Sequence, residues 1–151
     1  MVWGCMASSG TGRLYTCEGR MNSTIYTNML DQVYQTSLTK IFSNNIPSDV
    51  IFQQDNAPCH TSKVSMGWFE KKGISVMKWP PQSPDLNPIE TLWSYLGKRV
   101  RMHKCSSKKE LEAKLHEEWQ KIDTSTCNNL VNNIQKRIKA VIKAKGGHTK
   151  Y

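Results

Sequence analysis

Val50-Ile51-Phe52-Gln53-Gln54-Asp55-Asn56-Ala57-Pro58-Cys59-His60, followed by a helical stretch and then Ile74-Ser75-Val76-Met77-Lys78-Trp79, decides how this chain folds. Val50-Ile51-Phe52 is a β-branched and aromatic run of strand character, which puts Asp55 at the strand's C-terminal end. Thr61 to Lys72 has helical spacing, with Val64, Trp68 and Phe69 expected inward and Gly73 as the stop. Ile74 to Trp79 reads as the next strand. A strand–helix–strand crossover implies a parallel portion of sheet.

Upstream, Val2 to Ala7 and Arg13 to Cys17 read as two strands joined through Ser8-Ser9-Gly10-Thr11-Gly12, a hairpin. Asn22 to about Phe42 is a helix with Ile25, Met29, Val33 and Leu38 roughly on one face. Downstream, Pro80-Pro81-Gln82-Ser83-Pro84 is a stiff loop. Asn87 then caps a helix with Pro88 at its first position and Leu92, Trp93, Leu96 and Val100 as its buried stripe. Ser107-x-x-Glu110 is a capping box opening the stripe Leu111, Leu115, Trp119, Ile122. A last helix is expected to bury Leu130, Ile134, Ile138 and Val141 or Ile142, ending at Gly146-Gly147. The pattern gives an α/β fold: one three-layer domain over residues 1–151, its mixed sheet flanked by helices and extended by extra C-terminal ones.

A chain of 151 residues, 38% hydrophobic and 22% charged, can bury a real core and is not a disordered sequence. Its apolar runs are far too short for a membrane span, and Met1-Val2-Trp3-Gly4-Cys5 is no signal peptide. That opening reads instead like the inside of a strand. The net charge of +9 favours a polyanionic partner, nucleic acid above all. Lys98, Arg99, Arg101, Lys104, Lys108 and Lys109 crowd one stretch; Lys136, Arg137, Lys139, Lys143, Lys145 and Lys150 crowd the tail. A solvated basic face without a partner is the plainer explanation. Five widely spaced cysteines without a C-x-x-C pair argue against a disulfide framework and a zinc knuckle, and suit a reducing compartment.

Two carboxylates stand out. Asp55 ends one strand, and Glu90 lies in the first turn of the helix that follows the other. The C-terminal edge of a parallel sheet is where α/β proteins place ligands. Two acids meeting there suit hard divalent cations such as Mg²⁺, and a basic protein with such a site suits phosphodiester chemistry. Each residue also has a structural explanation: Asp55 as a turn former, and Glu90 as the third helical residue reaching back to the Asn87 cap. Asp85 is a rival ligand or another turn former. His60 is expected to order its loop; His103, His116 and His148 are expected in solvent. Trp68, Trp93 and Trp119 lie on core stripes.

Ile51 to His60 resembles the second-aspartate motif of Tc/mariner transposases. Trp79-Pro80-Pro81-Gln82-Ser83-Pro84-Asp85-Leu86-Asn87-Pro88-Ile89-Glu90, with Leu92-Trp93, resembles their third-carboxylate motif. Thirty-four positions, 56 to 89, separate the two acids, the spacing of the glutamate-bearing branch. Val2-Trp3-Gly4-Cys5, Glu18-Gly19-Arg20-Met21-Asn22 and the tail Lys145 to Tyr151 extend the likeness from end to end.

The resemblance implies an RNase H-like core whose Asp-Asp-Glu triad holds two Mg²⁺ or Mn²⁺ ions. In such proteins water cuts at a transposon end, and the freed 3′-hydroxyl attacks target DNA at a TA dinucleotide. By position Asp55 is the second ligand and Glu90 the third, with Asn56, His60 and Asp85 close by. Lys98, Arg99, Arg101, Lys104, Lys136, Arg137 and Lys139 are the candidate contacts to double-stranded DNA. In the family the first aspartate lies on a strand preceding Val2-Trp3-Gly4-Cys5, and an N-terminal helix-turn-helix precedes that. Neither is in this sequence, so a sheet short of its first strand and no cutting by the chain alone are expected. The other reading is a non-catalytic remnant that binds DNA or oligomerises. A nuclear setting, and pairing with itself or with a full-length transposase, follow from the same likeness.

Overall fold

Side-chain alternation in the hairpin sets up the layering. β1 (Val2–Ala7) pairs antiparallel with β2 (Gly10–Thr16), and successive strand side chains point to opposite faces. Val2, Met6 and Leu14 join Leu92, Leu96, Val100, Trp119, Ile122 and Cys127 on one side. Trp3 and Tyr15 pack with Tyr26, Met29, Leu30, Val33 and Phe69 on the other. Two apolar cores thus enclose the strands, giving the expected three layers. The computed structural model describes residues 1–43 and 45–150, so Tyr151, the end of the tail motif, lies outside the described residues.

One outer layer is α1 (Ser23–Phe42), started by Asn22, whose Oδ1 accepts the Ile25 N–H at 2.8 Å. Its buried stripe is Tyr26, Met29, Leu30, Val33, Ser37 and Ile41, so Ile25 and Leu38 sit at the stripe's margins. The crossover follows as β3 (Ile51–Phe52), α2 (Pro58–Thr61), α3 (Lys63–Lys71) and β4 (Ser75–Val76), with β3 and β4 parallel. The helix expected over 61–72 is divided. Ser62 Oγ accepts the Ser65 N–H at 3.1 Å, so a new helix starts at Lys63. That start turns Ser65 and Phe69 inward and leaves Val64 exposed, against the expectation for Val64.

The other outer layer is α4 (Pro88–Arg101), α5 (Lys108–Gln120) and α6 (Thr124–Asn132), followed by α7 (Ile134–Lys143). Where the sequence pattern suggests a single last helix, there are two. Asn133 interrupts it, its side-chain amide donating to the Asn129 carbonyl at 2.8 Å, the kind of local bond by which Asn competes with helix continuation. The break re-aims α7: Arg137 is its buried residue, while Ile138 and Ile142 face solvent. His103 and His116 are also not free in solvent. Their Nε2 atoms lie 3.3 Å from Glu118 Oε1 and 3.2 Å from Thr16 Oγ1.

Close packing fixes the hairpin against α4 and α5. A Cβ on Gly4 would lie 2.8 Å from the Trp93 ring and 3.0 Å from that of Trp119, so only glycine fits. The two indoles stack at 5.1 Å, and Trp119 Nε1 donates to the Gly12 carbonyl at 3.0 Å. The ladders form two separate two-stranded sheets, one antiparallel and one parallel. Met1 and Cys17 exchange both backbone bonds, at 2.8 and 3.1 Å. By alternation, Val2 and Gly4 turn their N–H and C=O away from β2. Phe52 O accepts from Met77 at 2.8 Å, so Ile51 and Gln53 likewise face away from β4.

Candidate active site

Asp55 follows β3 by three residues, at the C-terminal end of the parallel pair. Its Oδ1 accepts the Ala57 N–H at 3.0 Å, which shapes the turn, and lies 2.6 Å from His60 Nδ1. Both the turn-forming role of Asp55 and the loop-ordering role of His60 are therefore present. They engage one oxygen. Oδ2 has no hydrogen bond among the described residues, and the side chain is 58% exposed.

His60 is itself held. Its ring lies 4.4 Å from that of Tyr26, and its carbonyl accepts from Gln54 Nε2 at 3.3 Å. Tyr26 donates its hydroxyl to Gln54 Oε1 at 2.6 Å. Burial and neighbouring negative groups, Asp55 among them, push the Tyr26 phenol well above its ordinary value, so it stays protonated and donates. Asn56 does something else: its amide donates to the Trp79 carbonyl at 2.8 Å. It ties the loop carrying Asp55 to the start of the proline loop that leads to Glu90.

Glu90 lies in the first turn of α4, where Asn87 Oδ1 accepts the Ile89 N–H at 3.4 Å. Capping does not explain this glutamate. The Asn87 N–H that it would have to accept donates instead to Pro84 O at 3.0 Å. Ser107 and Glu110 provide the contrast. Ser107 Oγ accepts the Glu110 N–H at 3.2 Å, while the Glu110 carboxylate takes the N–H of Ser106 at 2.8 Å. The Glu90 carboxyl has no such bond among the described residues. Partial burial raises it above the ordinary carboxylate range, and the charge of Asp55 raises it further. Oxygen donors of this kind fit a hard divalent cation, but no third His, Cys, Asp or Glu completes a metal-binding group among the described residues.

A family profile described as DDE superfamily endonuclease matches residues 1–112. The chain belongs to this family. It is 36% identical over 151 residues to the transposable element Tcb1 transposase of Caenorhabditis briggsae, covering all of this chain and 54% of that protein. The chain therefore spans about half the length of the curated relatives it matches. Its fold is that of the Mos1 transposase catalytic domain solved with raltegravir and Mg: TM-score 0.86 at 20% identity, over 99% of this chain and 76% of that one. The Mos1 mariner paired-end complex with Mn matches with TM-score 0.84 at 20% identity, over 99% of this chain and 44% of that one. This DDE superfamily chain thus has the RNase H-like architecture expected from its motifs.

The remaining candidates divide by environment. Lys98, Arg101, Lys104, Lys136 and Lys139 of the DDE chain are exposed. Arg99 is engaged, its Nε 2.5 Å from Glu118 Oε2. Arg137 is buried, donating to the Asp85 carbonyl at 2.8 Å and to Thr91 Oγ1 at 2.7 Å. Asp85 turns its carboxylate to Thr149, whose hydroxyl donates to Oδ2 at 3.1 Å. Tyr26, Gln54 and Thr91 do not stand out in the sequence. A tyrosine on a helical stripe and a glutamine beside a strand carry no local mark of what they touch.

Proposed function

We propose that Asp55 and Glu90 are two members of an acidic set that holds Mg²⁺ or Mn²⁺ for phosphodiester cleavage and strand transfer at transposon ends. The observation that carries this is Glu90 at the start of α4: the Asn87 N–H that capping would need donates to Pro84 O instead, which leaves the carboxylate free of a capping role. When bound, the ion would polarise a phosphate and favour ionisation of an attacking water or hydroxyl. The chain's own part is placement. His60 and the Ala57 N–H fix one Asp55 oxygen and direct the other outward; Asn56 couples the two loops.

The acidic set is incomplete among the described residues, so we expect no cutting by this chain alone. Double-stranded DNA is the expected partner, with transposon ends and a TA target as its particular sites and the nucleus as the setting. Pairing with a second transposase chain fits the same reading. The supporting feature is charge. Two concave surfaces are basic: one is lined by Arg101, His103, Lys104 and Lys108, the other by Lys136, Lys143, His148 and Lys150.

The test is nicking of supercoiled plasmid in Mn²⁺ by the folded 151-residue chain, beside Asp55→Asn. No nicking by either, with Mn²⁺ binding lost in Asp55→Asn and in Glu90→Gln, is the expected result. Nicking by the chain that disappears in Asp55→Asn would show that the two acids suffice. Mn²⁺ binding indifferent to both substitutions would remove them from the site. A non-catalytic DNA-binding protein is the second reading, favoured by the same incomplete set; its mark is DNA binding unaffected by EDTA.

A further inference from the structure

We infer that Arg137 is a positioning residue for Glu90, holding the start of α4 in place from the far end of the chain. The inference rests on Glu90 being a metal-binding acid. Arg137 is the buried residue of α7 and is 3% exposed, although α7 shows solvent Lys136, Ile138 and Lys139 around it. Its two terminal nitrogens reach different segments. One donates to the Asp85 carbonyl at 2.8 Å and the other to Thr91 Oγ1 at 2.7 Å. Asp85 lies in the short 3₁₀ turn Pro84–Leu86 before the Asn87 cap, and Thr91 directly follows Glu90. The fork therefore grips the chain on both sides of the glutamate.

A planar guanidinium can make two divergent bonds of this kind at once; a lysine ammonium on a flexible stem cannot reproduce the span. Taking a guanidinium out of water is costly, and an apolar side chain would fill the space with less penalty. What the arginine adds is orientation. It fixes the angle between the proline loop and the first turn of α4, and with it the direction in which Glu90 leaves the helix. The tail assists, since Thr149 holds the carboxylate of the same Asp85.

The experiment uses the whole chain, labelled for NMR, titrated with Mn²⁺ and read by broadening of the amides at 55–57 and 89–91. The variants are Arg137→Lys, Thr91→Val and Thr91→Ser, with the core substitution Ile122→Val as a stability control. Disturbing the support of a metal-binding side chain typically weakens metal affinity about 10-fold or more. We expect that loss at 89–91 in Arg137→Lys and Thr91→Val. Thr91→Ser, which keeps the hydroxyl, and Ile122→Val should respond like the parent chain. Parent-like response in both Arg137→Lys and Thr91→Val overturns the inference. If Arg137→Lys does not fold, Thr91→Val, a loss of one hydroxyl, decides alone.

Absence of any Mn²⁺ response in the parent chain would sink the metal reading. Positioning is then judged without metal, by amide exchange at Glu90 and Thr91. Exchange accelerated by Arg137→Lys and Thr91→Val but not by Thr91→Ser sustains it, and unchanged exchange ends it.

Discussion

A single hydroxyl shows how the site is held. The Tyr26 phenol donates to buried Gln54, whose amide in turn reaches the His60 carbonyl. Tyr26→Phe leaves a buried acceptor without its donor, which costs about 1–3 kcal/mol. We expect a loss of that size in urea denaturation, together with slacker ordering of His60. Asn56 makes a bond of the opposite kind, exposed and between loops. Asn56→Ala should therefore change stability little, on the order of 0.5–1.5 kcal/mol, while weakening any Mn²⁺ binding that needs Asp55 and Glu90 together. Equal Mn²⁺ affinity in parent and variant would show that the loops keep their relation without it.

Elements bring the long-range pairs together, and here the acid response of the molecule is decided. Glu118 of α5 is 2% exposed and is met by Lys121 at 2.8 Å, Arg99 at 2.5 Å and His103 at 3.3 Å. Its hydrogen bonds from Lys121 and then Arg99 lower its carboxyl from 4.5 to about 2. A carboxyl lowered on folding contributes stability above its unfolded value and loses it as pH falls through the folded one. The contribution is thus complete above about pH 4.5 and disappears toward pH 2. Glu118→Gln should flatten the fall of melting temperature across that range and leave the parent more stable at neutral pH. A parallel fall in both proteins would show that Glu118 is not responsible. Gly4→Ala tests the same junction by packing: insertion against the stacked indoles should cost about 1–3 kcal/mol or more.

How much was legible in the sequence follows from which elements speak for themselves. The hairpin, α1, the parallel pair and α4 carry local signals: alternation, Asn22 and Asn87 as caps, Pro88 at a helix start. The Asp55 and Glu90 motifs carry their own spacing. What escaped was decided by helix rotation. Ser62 and Asn133 each restart a helix, and each restart moved a different residue inward, Ser65 in one case and Arg137 in the other. A cation in a basic tail looks like a surface charge until its partners, 46 and 52 residues away, are known. The Glu118 cluster was hidden likewise, because no local pattern tells that a glutamate in a charged helix is covered.

At the scale of the whole molecule, charge governs what the protein meets. With a net charge of +9, binding to duplex DNA should weaken steeply with salt, because cation release scales with the number of phosphates met. Arg137→Lys should leave the salt slope unchanged, since Arg137 is buried, whereas removing Lys136 and Lys139 together should lower it by about 2. An unchanged slope in the double variant would place the DNA elsewhere. No described helix is long and apolar enough to cross a membrane.

The two ladders end in rows of backbone donors and acceptors, at Val2 and Gly4 on one strand and at Ile51 and Gln53 on another. Such rows are templates for any extended peptide, and proteins usually blunt them with charge, proline or a cover. β1 contains neither a charged residue nor a proline. The consequence is colloidal: as concentration rises, this protein should associate edge to edge, gaining β signal and light scattering before it unfolds. Putting a lysine at exposed Ile51 on the other edge, Ile51→Lys, should delay that association, and an unaltered concentration threshold would acquit the edge.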